Sequence, residues 1–196
     1  MTHWTEELFK EHPELFLGAF EARLEQSYDE VAGLLHCLSE QGFQPQRLLD
    51  LNCGIGRHSI ELAKQGIRVV GTDISPDYID IATEMAAEQG VADRAGFRVA
   101  DMRRIAAEME NEKPFDGVVC LWTAFGFYDE ETNIDVLRQC RGLVGEGGAW
   151  RWTSSTATGW CRTSRGRASP AGKTASCWRN GTSTPSAPAY TTPGLF

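Results

Sequence analysis

Residues 47–66 read Arg-Leu-Leu-Asp-Leu-Asn-Cys-Gly-Ile-Gly-Arg-His-Ser-Ile-Glu-Leu-Ala-Lys-Gln-Gly. Leu48 to Leu51 is a short apolar run broken only by Asp50, the signature of a buried strand ending at a carboxylate. Asn52 to Gly56 follows as a tight glycine turn, where backbone without a Cβ passes close to a neighbour. From Arg57 the period changes to that of a helix, with Ile60, Leu62 and Ala63 apolar, Glu61 and Lys64 polar, and Gly66 closing it. A strand, a glycine turn and a helix N-terminus together make a nucleotide-binding corner.

The pattern repeats on both sides of this corner. Arg68 to Thr72 reads as a second strand ending in Asp73. Ser75 or Asp77 is placed to cap a helix with Pro76 at its first position, running to about Gln89. Phe97 to Ala100 reads as a third strand ending in Asp101, with a short helix through Met109. Phe115 to Leu121 is a near-continuous apolar run, as in a strand covered on both faces. An aromatic loop from Trp122 to Tyr128 precedes a helix from Asp129 to Leu143, whose inward residues are Ile134, Val136, Leu137 and Cys140. Gly145 to Gly148 leads toward a fifth strand. Alternating strands and helices with right-handed crossovers predict an α/β fold, a Rossmann-like doubly wound, mostly parallel sheet. Ligands in such sheets sit beyond the strand C-termini, which brings Asp50, Asp73, Asp101 and Trp122–Thr123 to one crevice.

Upstream, residues 1–46 read as a helical lead-in. Leu24, Tyr28, Val31, Leu34, Leu35 and Leu38 share one helical face between Glu21 and Gln41. The earlier Trp4, Leu8, Phe9, Leu15, Phe16, Leu17 and Phe20 are taken as packing against the domain, with a substrate lid as the alternative. Arg23 is placed to hold a carboxylate there.

Within the crevice, a dinucleotide GxGxxG pattern requires glycine at position 59, which is Ser59. Without it the helix cannot pack closely beneath a pyrophosphate, which disfavours the alternative of an NAD-dependent dehydrogenase. Asp73 is placed to accept from both ribose hydroxyls, and its charge repels a 2′-phosphate. Asp101 is placed to accept from an adenine amino group, with Met102 packing on the ring.

Four motifs in order now carry a resemblance. Asp50–His58 (D-L-N-C-G-I-G-R-H), Val69–Ser75 (V-V-G-T-D-I-S), Val99–Met102 (V-A-D-M) and Phe115–Phe127 (F-D-G-V-V-C-L-W-T-A-F-G-F) resemble the class I S-adenosylmethionine-dependent methyltransferases, in the small-molecule branch with a CGxGRH turn. The likeness spans roughly Leu34 to Gly148 and implies a core of residues 47–150 that binds S-adenosylmethionine. It implies that Asp50, Asn52, Cys53, Gly54 and Gly56 cradle the methionine part. Asp73 and Ile74 would hold the ribose side, with Asp101, Met102 and Leu121 at the adenine. Trp122, Thr123, Phe125 and Tyr128, with Arg57 and His58 nearby, would face the acceptor. Asn52 departs from the small residue usual at its position and crowds the turn. A sulfonium methyl is already activated, so no catalytic residue is assigned; the protein aligns the acceptor and excludes water. A domain that binds the nucleotide without turnover is the alternative.

Charge narrows the partners. Residues 1–150 hold all 27 acidic residues and 13 of the 19 basic ones, a balance of −14, which argues against nucleic acid; the small-molecule acceptor is what the resemblance implies, and its identity is not readable. No stretch reaches membrane-span length and no signal peptide opens the chain. The six cysteines form no CxxC pair, so no metal site is expected and a reduced, cytoplasmic protein is. Oligomeric state is not readable.

The final 46 residues are of another kind: six basic residues, no Asp, Glu, Val, Ile or Met, and one leucine. Residues 151–196 are expected to be an atypical, poorly ordered tail, with the C-terminal strands missing or malformed. The genetic code suggests a cause. Codons can be chosen for Ala149–Cys161 that, read two bases later, give V-A-V-D-I-V-N-R-D-W-V-V, an apolar strand followed by a turn. Ser176–Thr184 can be shifted likewise to L-L-E-E-R-x-F-D. From about Ala149 the chain reads as an out-of-frame continuation.

Overall fold

The computed structural model describes residues 3–112, 114–122, 124–154 and 157–162; Thr123 and the tail from residue 163 lie outside them. Six strands form one sheet in the order β3-β2-β1-β4-β5-β6. These are β1 (Arg47–Leu51), β2 (Arg68–Asp73), β3 (Ala95–Val99), β4 (Phe115–Cys120), β5 (Val144–Ser154) and β6 (Ala157–Arg162). The first five are parallel to their neighbours and β6 is antiparallel to β5. The order reverses between β1 and β4, which places the ligand-binding crevice beyond the ends of those two strands.

The helices are α1 (Trp4–Glu6), α2 (Glu14–Glu21), α3 (Ser27–Glu40), α4 (Arg57–Lys64), α5 (Pro76–Glu88), α6 (Ile105–Glu108) and α7 (Glu130–Leu143). Starts and stops follow local chemistry. Ser75 accepts from the Tyr78 amide with Pro76 next in line, and Asp129 accepts from the Thr132 amide at the head of α7. α3 lays Val31, Leu34 and Leu38 on Leu48, Leu62, Val69 and Val119, covering one sheet face. The other face buries Leu49, Leu51, Met102, Ile105, Phe115, Val118, Val136 and Cys140. Leu62 is fully buried, and its truncation to Ala would cost about 2–5 kcal/mol.

Three expectations need correction. The helix read from Glu21 begins only at Ser27, because residues 22–26 turn back after α2. Tyr28, at the very start of α3, projects past the packed face and is 59% exposed. Finally, residues 150–154 and 157–162 do carry strand, while the rest of the expected tail lies outside the described residues: β5 pairs with β4 from Gly117↔Ala149 to Cys120↔Trp152, and β6 folds back on β5. Pairing is made by backbone groups, and β4 would otherwise present a row of unsatisfied N–H and C=O groups. A segment poor in aliphatic residues can therefore still occupy that position. Among the described residues no helix is long and apolar enough to cross a membrane.

Candidate functional site

A cavity of about 200 Å³ lies beyond the C-terminal ends of β1, β2 and β4. Its floor is built from Asn52 and Cys53 of the glycine turn, Asp73 at the end of β2 with Ile74 just beyond, Met102 after β3, and Leu121 and Trp122 after β4. Tyr128 closes one side.

Two floor residues hold the left-handed conformation that non-glycine residues seldom adopt, Asn52 at φ 58° and Trp122 at φ 63°. Asparagine tolerates it, and its side-chain amide donates to the Ala124 carbonyl at 2.7 Å and approaches Met102 Sδ at 3.0 Å. Asn52 does not merely crowd the turn; it pins the aromatic loop after β4 to it. For Trp122 the conformation is strained, and it directs a large ring across the cavity floor.

Asp73 is the polar centre. Its Oδ2 accepts from the Gly54 amide at 2.9 Å and its Oδ1 from the Ser75 amide at 3.0 Å. Burial nevertheless pushes its carboxyl up to about 6, against the pull of those amides. With the Ile74 amide also on it, the carboxylate still has acceptor capacity for a ligand hydroxyl, which would complete a site that is otherwise costly to ionise.

The two glycines of the turn serve different neighbours. A Cβ on Gly54 would sit 3.1 Å from the Phe20 ring, which therefore lies directly on the turn. A Cβ on Gly56, at φ +74°, would meet the Phe97 ring at 2.7 Å and the Ala82 methyl at 2.8 Å. Gly71 makes room for the same Phe97 ring, which a Cβ there would meet at 2.5 Å. Gly56 and Gly71 form the slot that seats Phe97 beneath the turn; Gly54 keeps the cavity side open to whatever replaces Phe20.

Other residues named from sequence stand away from the cavity lining. Asp50 is 1% exposed, and its Oδ2 accepts from Ser59 Oγ at 2.6 Å. It braces the start of α4 from below. Asp101 is consumed by Arg103, whose Nε lies 3.0 and 2.9 Å from its two oxygens. Burial raises the Asp101 carboxyl, but the Arg103 hydrogen bonds and charge outweigh it and hold the group below its ordinary value. Gly54, Gly56 and Phe125 are not among the lining residues either, and Thr123 lies outside the described residues.

Sequence reasoning had taken the aromatic lead-in as packing. It does pack on the domain, and in doing so Trp4, Leu8, Phe9, Phe16 and Phe20 line the cavity as its roof. Phe20 packs edge-on against both Tyr78 and Trp122, with ring centroids 5.2 and 5.5 Å apart. Polar latches fasten this roof. Tyr78 Oη donates to the Pro13 carbonyl at 2.7 Å, Arg103 pairs with Glu6 at 2.6 Å, and the Thr5 and Tyr128 hydroxyls meet at 3.3 Å. The signal was the density of aromatics before residue 21; they stack on one another locally, but Tyr78, Trp122 and Phe127, which fix them over the cavity, lie more than 50 residues away in sequence.

At the head of α4, Glu30 Oε2 accepts from Arg57 Nη1 at 2.5 Å and lies 2.7 Å from His58 Nε2. The His58 hydrogen bond, with those of Arg57 and against burial, brings the Glu30 carboxyl down to about 2. This trio ties α3 to the glycine turn.

Comparison with known proteins follows this geometry. Residues 48–148 match a family described as a methyltransferase domain. A 23S rRNA (uracil(1939)-C(5))-methyltransferase of Acidithiobacillus ferrooxidans is 38% identical over 74 residues, covering 36% of this chain and 16% of its own. The ajmaline N-methyltransferase of Rauvolfia serpentina is 33% identical over 86 residues, covering 43% of this chain and 30% of its own. The chain thus spans less than a third of either relative's length. Among solved structures, an S-adenosylmethionine-bound amino pentose methyltransferase of Micromonospora echinaspora superposes with a TM-score of 0.58 at 22% identity, covering 70% of this chain and 55% of that one.

Proposed function

The chain belongs to the methyltransferase-domain family, with the class I S-adenosylmethionine-dependent fold, and from that premise we propose that it transfers a methyl group from S-adenosylmethionine to a small-molecule acceptor. The observation that carries this reading is the roofed cavity over the glycine turn and Asp73. An aromatic roof latched to the rim suits a molecule enclosed whole rather than a strand of nucleic acid passing across. The balance of −14 over residues 1–150 points the same way, since a polyanion would be repelled.

The residues present fit the cofactor. Asp73 has lone pairs to spare for the ribose hydroxyls, Ile74 and Met102 offer apolar surface to a base, and Gly54 leaves space for the methionine part once Phe20 withdraws. When bound, the cofactor supplies an activated sulfonium methyl. An acceptor's lone pair would take that methyl while the C–S bond electrons return to sulfur, so S-adenosylhomocysteine would be the leaving group. This chain's own contribution is placement and exclusion of water. Trp122 and Tyr128 shape the acceptor side, and the roof from Trp4 to Phe20 keeps the reacting atoms dry. A neutral amine acceptor requires no general base.

The test is transfer of labelled methyl from S-adenosylmethionine to a panel of small amines, phenols and thiols, with bulk ribosomal RNA in parallel. Label on a small molecule supports the reading, and label on RNA alone overturns it. The altered composition from about residue 149 favours a second reading, in which the cofactor binds without turnover. Binding of S-adenosylhomocysteine with no transfer to any acceptor would decide for it.

A further inference from the structure

The rings that line the cavity form a series. Trp4 meets Phe127 edge-on with centroids 5.4 Å apart, and Phe127 lies 5.9 Å from Phe9. Phe9 meets Phe16 edge-on at 5.7 Å, and Phe16 reaches Trp122 at 6.2 Å. All five line the cavity, so the segment before residue 21 and the loop after β4 enclose it in one arc of rings. Edge-to-face sets present electron-rich faces and electron-poor edges together, which suits a further aromatic ring better than a saturated one.

Charge argues against a cation as the occupant of that arc. Among the described residues that line the cavity Asp73 is the one carboxylate, and it is assigned above to the cofactor. The rings best placed for a cation already carry one: Arg23 and Arg57 lie 5.1 and 5.8 Å from the Trp122 ring, and Arg103 lies 5.1 Å from that of Tyr128. The arc has one neutral polar point, where the Tyr128 and Thr5 hydroxyls meet at 3.3 Å. His3 Nδ1 accepts from the Thr5 amide and therefore carries no proton, so the Thr5 hydroxyl, 2.8 Å away, donates to it. Tyr128 donates to Thr5 in turn, and the Tyr128 oxygen is left as an acceptor inside the cavity. We propose that the methyl acceptor is an uncharged aromatic molecule bearing an O–H or N–H, its rings held in the arc and its heteroatom at Tyr128. This rests on the methyltransferase reading and names the acceptor class for the same cavity. Because Tyr128 accepts the heteroatom's hydrogen, a lone pair of that heteroatom stays free for the methyl carbon.

Four probes test this by calorimetric titration of the full chain, each with and without S-adenosylhomocysteine. They are 2-naphthol, its saturated counterpart decahydro-2-naphthol, naphthalene, which lacks the hydroxyl, and tetramethylammonium. In the wild type 2-naphthol should bind about ten-fold tighter than either the saturated alcohol or naphthalene. Phe127→Leu, which keeps an apolar side chain, should shrink the preference over the saturated alcohol, and Tyr128→Phe should erase the preference over naphthalene. If the wild type binds the saturated alcohol or naphthalene as well as 2-naphthol, binds tetramethylammonium more tightly, or binds none of the four, the proposal is refuted whether or not the variants fold. Preferences that survive unchanged in cooperatively melting variants refute it equally. Failure of the wild type to bind S-adenosylhomocysteine would overturn the function proposed above, while the titrations without it still test the arc and Tyr128.

Discussion

Asp73 gives the sharpest prediction, because one buried carboxyl is asked both to ionise and to accept ligand hydrogen bonds. Its folded-state value of about 6 stands above its ordinary value of 3.8. In the free protein that shift contributes stability present below the ordinary value and lost as pH rises through about 6, the cost of ionising a group with little water. Ribose hydroxyls donate to the ionised form, so binding requires loss of the proton. With a titration point near 6, about one tenth of the molecules are ionised at pH 5 and about nine tenths at pH 7. The affinity for S-adenosylhomocysteine should therefore rise about ten-fold across that interval, or about 1.4 kcal/mol. Calorimetric titrations at both pH values measure it, and repetition in buffers of different ionisation enthalpy reveals the proton released near pH 6. Asp73→Asn should bind weakly with a flat profile. An unchanged affinity between pH 5 and 7 in the wild type, or a ten-fold rise that persists in Asp73→Asn, would refute the role given to this carboxyl.

Further outcomes follow from the turn and its roof. Gly56→Ala combines a left-handed backbone with contacts to Phe97 and Ala82 below 3 Å, so denaturant unfolding should show a loss of about 2–5 kcal/mol. Phe20→Ala removes the ring lying on Gly54; stopped-flow mixing should show faster association of S-adenosylhomocysteine and a lower melting temperature for the free protein. If the tail is an out-of-frame reading, resequencing the coding DNA around residue 149 will show one base inserted or lost relative to close relatives, and an intact frame there would dismiss it.

What could be read from the sequence was what depends on neighbours along the chain. Leu48 to Leu51, Arg68 to Thr72 and Phe115 to Leu121 declare strands by their apolar runs, and Ser75-Pro76 and Asp129 declare helix starts. Glycines 54 and 56 marked the turn. The side-chain partners were not legible even where they are close in sequence, because an apolar run or a cap signal does not say which donor a carboxylate will take. Nothing near Asp50 announces Ser59 as its partner rather than a ligand, and Asp101, which caps the turn Met102–Arg104, takes Arg103 two residues on instead of staying free. Phe97 gave no hint that it would fill the slot under Gly56 and Gly71. The roof was visible as composition and rightly read as packing, but that the packed rings also line a cavity could not be told from composition, since aromatic residues serve both ends equally well.

The claim on which the rest depends is that the corner at residues 50–73 holds S-adenosyl nucleotides in the chain as it stands. A thermal melt of the 196-residue protein with and without S-adenosylhomocysteine tests it most directly. At about a hundred times its Kd the ligand should add about 2.7 kcal/mol and move a cooperative transition upward by several degrees. A cooperative transition that stays in place at saturating ligand would contradict the account.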